Sequence, residues 1–297
     1  MLLERQRLLL TLLDVVGQPM RHMDFQKLLF LYTHECEITP RYDFVPYKFG
    51  AFSFTSYADK RKLIALGLLM DDEQHWVLTE AGRIIARRHS IEPVRVASFC
   101  QRHQQLRGTA LVVEQYRRFP YYATRSEILD QLQLEQETLA RIEAAKPKRG
   151  PAALVTIGYE GRSLENYLNE LLRRAVTVLC DVRRNPVSRK YGFSKGTLSK
   201  ASEGLDMRYE HLPELGIASD ERRGLHTQAD YEALFAWYRR KILPRQRATL
   251  ERILLWLAAG ERVALTCFER LPEHCHRHCV AEALEQMTSA SFKTDHV

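Results

Sequence analysis

Hydrophobic positions in the first ninety residues follow helical spacing three times and then change to two short extended runs. Apolar spacing predicts helices over residues 8–16, after the N-cap Asp24, and over residues 56–66. Residues 67–82 predict two short strands around the acidic turn Asp71-Asp72-Glu73. Three helices closed by a β-hairpin are the outline of a winged helix. We therefore expect a winged-helix-like domain over residues 1–90.

The hydrophobic pattern changes again in the second half of the chain. Residues 91–145 predict a helical extension, including a helix over 127–143, and the basic, Pro- and Gly-containing residues 146–151 predict a linker. Beyond it, strands and helices alternate. Strands are predicted over 154–158, 176–182 and 262–267, and a strand followed by a turn over 208–216. Helices are predicted over 163–174, 231–242 and 245–257, and residues 275–277 are predicted to begin a further apolar helix. This alternation predicts an α/β domain over 152–297 with a mostly parallel sheet covered by helices, preceded by a mainly α domain.

Polar residues follow three of the predicted strands. They are Gly158 and Tyr159, then Asp181 and Arg183, then Cys267 and Glu269. Because the carboxyl ends of parallel strands meet at one edge, we expect these side chains to share a site. Asp181 and Arg183 are two positions apart and face the same side, so a structural ion pair is the alternative.

A basic loop follows Arg183. It contains Arg184, Ser188, Arg189, Lys190 and Lys195 and no acidic residue. Guanidinium groups suit phosphate, and Tyr191 and Phe193 would be able to stack on a base. The loop predicts a substrate that bears phosphate, and a solvated basic loop is the alternative.

The densest group of reactive side chains lies between Cys267 and Cys279, and three interpretations compete for it. In the first, Cys267, Cys275, His278 and Cys279 bind structural zinc. In the second, Cys275 at a helix start is a catalytic thiol whose pKa is lowered by Arg277 and the imidazoles.

The third interpretation is favoured, because the strand ends supply two carboxylates opposite several guanidinium groups. Here Glu269 and Asp181 are the acid and base, His276 and Arg277 bind an anion, and the cysteines only pack. It requires no cofactor.

Composition and charge indicate the kind of partner. The 297 residues carry a net charge of +7, which favours a polyanionic partner such as nucleic acid. We expect this partner to be DNA, contacted by Lys60, Arg61 and Lys62 on the third helix. Three of six cysteines are clustered, which indicates metal or reactive thiols before disulfides. Without a membrane-length apolar run or a signal peptide, we expect a cytoplasmic protein that binds no membrane. Winged-helix proteins are often dimers, so a homodimer is compatible with the sequence.

Four motifs carry a resemblance to a known family. T-I-G-Y-E-G-R-S, D-V-R-R-N-P-V-S-R, R-Y-E-H-L-P-E-L-G and C-F-E with C-H-R resemble the domain of unknown function 488 family, over about residues 153–290. Members are compact α/β domains whose shared polar residues are suspected of catalysis or nucleic-acid contact. The matching positions are Gly158, Asp181, Arg183, Pro186, Ser188, Cys267, Glu269, Cys275, His276 and Arg277. The sequence departs from the family at Tyr159 and Glu160, and in its extra His278-Cys279.

A second, shorter resemblance lies in the first domain, where Y-K-F-G-A-F-S after K-L-L-F-L-Y resembles the Panacea antitoxin-associated domain. Together these features predict a DNA-associated protein that binds through a winged helix. Its α/β domain is expected to process nucleic acid in repair, modification or defence, as a hydrolase or transferase. The alternative is a non-catalytic DNA-binding regulator whose α/β domain senses a nucleotide, metal or thiol signal.

Overall fold

The computed structural model describes residues 1–288, 292 and 294–297, and it divides the chain into two compact units. The N-terminal unit is Met1–Lys146 and the C-terminal unit is Pro147–Val297. Residues 147–152 belong to no helix or strand. Pro147 and Pro151 fix φ and remove backbone donors there, which suits a connecting segment.

The N-terminal unit is mainly helical. Its helices are α1 (Glu4–Val16), α2 (His22–Cys36), α3 (Phe54–Ala65), α4 (Glu80–Arg88), α5 (Pro93–Arg102), α6 (Gly108–Arg118) and α7 (Gln136–Ala145). Its strands are β1 (Met20–Arg21), β2 (Val45–Tyr47), β3 (Gly50–Phe52), β4 (Leu69–Asp71) and β5 (His75–Leu78). Helix α1 buries Leu8, Leu9 and Leu12 and ends at Gly17, whose φ of 72° suits the left-handed C-cap.

Two small antiparallel sheets complete this unit. One has the order β1-β5-β4, and the other is the hairpin β2-β3 between α2 and α3. The fully buried Trp76 on β5 packs on Phe25 of α2, with ring centroids 4.3 Å apart. The two strands predicted around the acidic turn are therefore present, and the predicted helical extension packs in the same unit as the first three helices.

The helix predicted over residues 127–143 begins only at Gln136. The residues before it form short 3-10 turns at Pro120–Ala123 and Leu129–Gln131. Leu129, Leu132 and Leu134 are partly buried against a small core that includes Tyr116 and Ile142. Their close spacing lets a turn, rather than one face of a helix, bring all three to that core.

The C-terminal unit is an α/β domain, as predicted. Its strands are β6 (Ala153–Gly158), β7 (Val178–Asp181), β8 (Arg208–His211), β9 (Arg262–Cys267) and β10 (Asp295–His296). Its helices are α8 (Leu164–Arg173), α9 (Lys195–Glu203), α10 (Gln228–Lys241), α11 (Arg247–Ala258) and α12 (Arg277–Met287). The sheet has the order β10-β6-β9-β7-β8, and every pair is parallel.

The strand order places β9 between β6 and β7. Gly158 pairs with Cys267 and Asp181 with Thr266, so the carboxyl ends of these three strands are adjacent. The chain passes from β6 over to β7 and β8 and later returns to β9, which creates a topological switch point where open α/β sheets place their ligand sites.

Two elements of the C-terminal unit were not predicted. Helix α9 contains Lys, Gly and Ser at most positions, and only Leu198, Ala201 and Ser202 are buried, so its hydrophobic pattern is weak. Strand β10 has only two residues at the sheet edge beside β6. In the part of the chain that the structure describes, every helix is too short or too polar to cross a bilayer.

Candidate functional site

The adjacent ends of β6, β7 and β9 open into a cleft of about 330 Å³. Tyr159, Arg183, Cys267, Glu269 and His276 line it, together with exposed residues of the basic loop. Strand-end residues that the sequence predicted to meet therefore do meet. Gly158 permits this close approach, because a Cβ there would lie 1.8 Å from the carbonyl oxygen of Glu269.

Asp181 and Arg183 form a buried ion pair beneath the cleft. Arg183 Nε donates to Asp181 Oδ1 at 2.8 Å and Nη2 donates to Oδ2 at 2.5 Å. Tyr209 donates its hydroxyl to the same Oδ2 at 2.6 Å, and the backbone N–H of Arg183 donates to Oδ1 at 3.1 Å. Both carboxylate oxygens are thus satisfied, and Asp181 is fully buried. This geometry favours the structural ion pair over an acid/base role for Asp181.

The rest of the Arg183 guanidinium fixes the first loop of the site. Its Nη1 donates to the hydroxyl of Tyr159 at 3.0 Å and to the carbonyl of Phe193 at 2.8 Å. Tyr159 stacks on Phe193 with ring centroids 4.3 Å apart and planes 9° apart. Phe193 is fully buried, so it does not stack on a base as predicted. Arg183 orders the cleft wall instead of offering a free fork to phosphate.

A cluster of two thiols and one imidazole lies at the end of β9. His276 Nε2 donates to the carbonyl of Val182 at 3.0 Å, so Nδ1 is the unprotonated nitrogen of the neutral ring. That Nδ1 lies 3.7 Å from Cys267 Sγ, and Cys275 also hydrogen-bonds to Cys267 and His276. Each of the three residues is at most 2% exposed.

The two thiols of this cluster differ in acidity. The hydrogen bond from Cys275 lowers the pKa of Cys267 to about 7, against the desolvation that would raise it, and the positive charge of Arg222 adds to the lowering. Burial raises the pKa of Cys275. Cys275 precedes α12 by two residues and does not gain the stabilisation predicted for a thiolate at a helix start. The predicted lowering of the Cys275 pKa is therefore wrong, and a catalytic role for this thiol stays a prediction.

Glu269 lies beside this cluster and pairs with a residue that the sequence did not reveal. Its Oε1 forms an ion pair with Arg222, and its Oε2 accepts from Cys267 Sγ at 3.4 Å. Glu269 is 8% exposed and lines the cleft. Arg222 belongs to the 3-10 turn Asp220–Arg222, in a loop whose sequence has no strand-end or helical pattern.

Arg277 supports the structure of the site but does not line the cleft. It is fully buried, and its Nη1 and Nη2 donate to the carbonyls of Glu269 and Arg270 at 2.5 and 2.9 Å. The guanidinium therefore holds the loop that carries Glu269. Its Nη1 and Nη2 donors are therefore engaged within the protein, whereas anion binding was the role predicted for this residue.

The predicted residues of the basic loop separate into two sets. Arg184 and Arg189 are exposed at the cleft, where Arg184 Nη1 donates to the carbonyl of Pro213 at 3.4 Å. Ser188 lines the cleft and binds Ser194 through its backbone N–H at 3.0 Å. Lys190 and Lys195 point to partners within the protein, which are the Tyr159 carbonyl at 3.2 Å and His211 Nδ1 at 3.4 Å.

The four predicted zinc ligands do not form one group. Among the described residues, Cys267 and Cys275 gather with His276, whereas His278 and Cys279 gather with Glu282. The first group lies at the cleft. The second is occupied by Arg239, which donates to Glu282 Oε2 at 2.7 Å and lies 3.0 Å from His278 Nε2.

In the N-terminal unit, the three predicted DNA contacts on α3 also divide. Arg61 and Lys62 are exposed. Lys60 is 7% exposed, forms an ion pair with Asp71 and lies over the rings of Tyr57 and Trp76. It is therefore not available to a phosphate, contrary to the prediction.

One family matches part of this chain. The family described as domain of unknown function DUF488 matches residues 163–284, which confirms the resemblance of the C-terminal half. The matched segment includes Asp181, Arg183, Cys267, Glu269 and the Cys275–Arg277 run, but it begins after Gly158 and Tyr159. The resemblance extends to about residue 290, and that residue lies outside the part of the chain that the structure describes. No curated protein and no solved structure matches the chain.

Proposed function

We propose that the C-terminal unit is an enzyme that hydrolyses or transfers a group at a phosphate-bearing nucleotide of nucleic acid. The observation that carries this proposal is the position of Glu269 in the cleft, between a thiol and imidazole cluster on one side and arginines on the other. Reactive groups of opposite charge in one water-accessible cavity are the usual composition of a catalytic site.

The cleft suits a nucleotide in size and charge. A volume of about 330 Å³ is at the lower end of small-molecule sites, which accommodates one nucleotide or one extruded base with its sugar. Arg184 and Arg189 are exposed at its edge, and guanidinium forks bind phosphate oxygens in pairs.

Glu269 is the group that we assign to proton transfer. Glu269 lines the cleft, its Oε1 is held by Arg222 and its Oε2 accepts from Cys267 Sγ at 3.4 Å, so the carboxylate is oriented. An oriented carboxylate within reach of a substrate contributes about 10²–10⁴-fold to a rate as general acid or base. Asp181 is assigned to the support of Arg183.

The N-terminal unit is proposed to hold DNA as a winged helix. In support, α1, α2 and α3 are followed by the β4-β5 hairpin, and β1 pairs with β5 to close the sheet. Arg61 and Lys62 are exposed on α3, the position of a recognition helix. The acidic turn at the hairpin tip argues that α3, and not the tip, meets the phosphates.

The test is incubation of the purified full-length protein with labelled single- and double-stranded DNA, both normal and damaged or modified, followed by denaturing gels after mild alkali. New products or alkali-sensitive breaks are the expected result. Salt-sensitive binding without product on any substrate would instead support the DNA-binding regulator.

A further inference from the structure

Two sulfurs and one nitrogen converge on a single point at the end of β9. Cys267 ends that strand, Cys275 follows the 3-10 turn Pro272–His274, and His276 comes directly before α12. Their ligand atoms all lie within 4.8 Å of one another. Residues nine positions apart in the chain are brought together by the return of the backbone from the strand to the helix.

From this arrangement we propose that Cys267, Cys275 and His276 bind one zinc ion, with a fourth coordination position open toward the cleft. A tetrahedral zinc with bonds of about 2.3 Å to sulfur and about 2.1 Å to nitrogen places those two ligand atoms about 3.6 Å apart. The structure has 3.7 Å between Cys267 Sγ and His276 Nδ1. Cys267 and His276 thus have the spacing of two zinc ligands, and Cys275 Sγ lies within 4.8 Å of both ligand atoms.

The surroundings of His276 are those of a zinc ligand. Metal-bound imidazoles donate their other ring N–H to a carbonyl or carboxylate, which fixes the ring and its tautomer. His276 Nε2 does so to the carbonyl of Val182 at 3.0 Å. Soft thiolates with an imidazole favour zinc over magnesium or calcium, which prefer oxygen ligands.

The open position follows from where the three residues lie. Cys267 and His276 line the cleft, so the side of the cluster that has no fourth protein ligand faces it. Structural zinc sites are closed by four protein ligands, whereas catalytic sites have three and leave one place for water. Glu269, with Oε2 3.4 Å from Cys267 Sγ, lies beside that place as a carboxylate outside the ligand set. Zinc with thiolate and imidazole ligands and a separate glutamate also characterises hydrolytic sites that act on nucleobases.

The neighbouring group of His278, Cys279 and Glu282 does not compete for the ion. Arg239 donates twice to Glu282 Oε2, at 2.9 and 2.7 Å, and its Nη2 lies 3.0 Å from His278 Nε2. A resident guanidinium already supplies the positive charge there. The cluster at β9 has no such cation between its ligand atoms in the described part of the chain.

The experiment is metal analysis of full-length, tag-free protein, purified without chelator and dialysed after exposure to zinc. We expect about one equivalent of zinc per chain, and under about a tenth in Cys275→Ser and His276→Gln. Cys279→Ser and Cys36→Ser, which lie outside the proposed ligand set, should retain the metal. Circular dichroism establishes that each variant is folded, and cobalt exchanged into the wild type should give the visible absorption of a tetrahedral thiolate site.

Three results would overturn the site. The first is wild-type protein that holds under about a tenth of an equivalent of zinc after exposure to the metal. The second is loss of zinc from the Cys279→Ser variant while the Cys275→Ser variant retains it. The third is equal loss of zinc from all four variants. The metal count is independent of the reaction on which the assignment of Glu269 rests. Zinc without product on any nucleic acid leaves this site in place and removes the proposed function, and product from wild-type protein that takes up no zinc on exposure does the reverse.

Discussion

Arg183 holds both carboxylate oxygens of Asp181 in the interior of the C-terminal unit, through bonds of 2.8 and 2.5 Å. Tyr159 and Phe193 occupy the remaining side of the same guanidinium. This pair therefore links β7 to the cleft wall formed by the loops after β6 and β7. We therefore expect loss of this ion pair to lower the stability of the protein first, and to lower activity only as a result.

Replacing Asp181 by Asn should strongly destabilise the protein. The substitution leaves a buried guanidinium without its counter-charge, and breaking a buried pair in this way costs about 3 kcal/mol or more. Denaturant unfolding followed by circular dichroism measures the loss. Asp220→Asn is the matched control, because Asp220 pairs with Arg223 at an exposed position and should change stability little. Equal, small effects of both substitutions would refute a supporting role for Asp181.

Replacing Glu269 by Gln should lower activity and leave stability nearly unchanged, which is the opposite of the effect expected for Asp181→Asn. The amide retains the shape of the side chain but cannot take up a proton, so we expect product formation to fall by about 10²-fold or more. Nucleic-acid binding and the unfolding midpoint should change little by comparison. Glu273→Gln, at an exposed position four residues on, is the control and should retain full activity. Normal turnover by the Glu269→Gln variant would remove Glu269 from the reaction.

Much of this site follows from the sequence, because the hydrophobic runs that make parallel strands also fix where they end. Gly158, Asp181 and Cys267 each occupy the last position of a strand. Their meeting needs only the rule that parallel strands share an edge. The order in which the strands lie is less accessible, since the placement of β9 between β6 and β7 depends on crossovers that no local pattern encodes.

Arg222 and Lys60 show two ways in which the sequence misleads. Arg222 reaches Glu269 from a loop 47 positions earlier, and nothing in that loop marks it. On α3 the buried positions are Ser56, Asp59, Lys60 and Leu63, which have helical spacing but are mostly polar. From the sequence such a polar face is predicted to be exposed. It is buried because its charged residues form ion pairs, Lys60 with Asp71 and Asp59 with Arg5, and the sequence pattern does not show these partners.

The two exposed basic residues of α3 give a direct test of DNA docking. Substitution of Arg61 and Lys62 together by Ala should weaken DNA binding by the full-length protein. It should also reduce the slope of log affinity against log salt concentration by the amount that about two phosphate contacts contribute. Fluorescence anisotropy at several salt concentrations measures both quantities. Arg88→Ala, an exposed basic residue on α4, should leave the salt dependence unchanged. If the slopes of all variants coincide with wild type, α3 does not meet the phosphates.

Lys27 makes the stability of the N-terminal unit depend on pH. Its side chain is 2% exposed on α2, where Nζ donates to the carbonyl of Ala51 at 3.0 Å. Desolvation lowers its pKa to about 7, although the charge of Asp24 opposes the change. An unfolded lysine has a pKa near 10.4, so between these values the unfolded chain binds a proton that the folded chain does not. Stability should therefore rise with pH from about 7 upward, by at most about 1.4 kcal/mol per pH unit.

The comparison of wild type with Lys27→Met isolates this effect from the other titrating groups. Between pH 7 and 9 the wild type should gain about 2 kcal/mol relative to the variant, because Met has no proton to lose. Tyr57, whose pKa burial raises to about 12, and Cys100, whose pKa burial raises to about 11, titrate equally in both proteins. With Trp237 and Trp256 replaced by Phe in both proteins, the buried Trp76 reports unfolding of this unit alone. Parallel stability curves for the two proteins over this range would mean that Lys27 is charged when folded, which requires a counter-charge closer than Asp24.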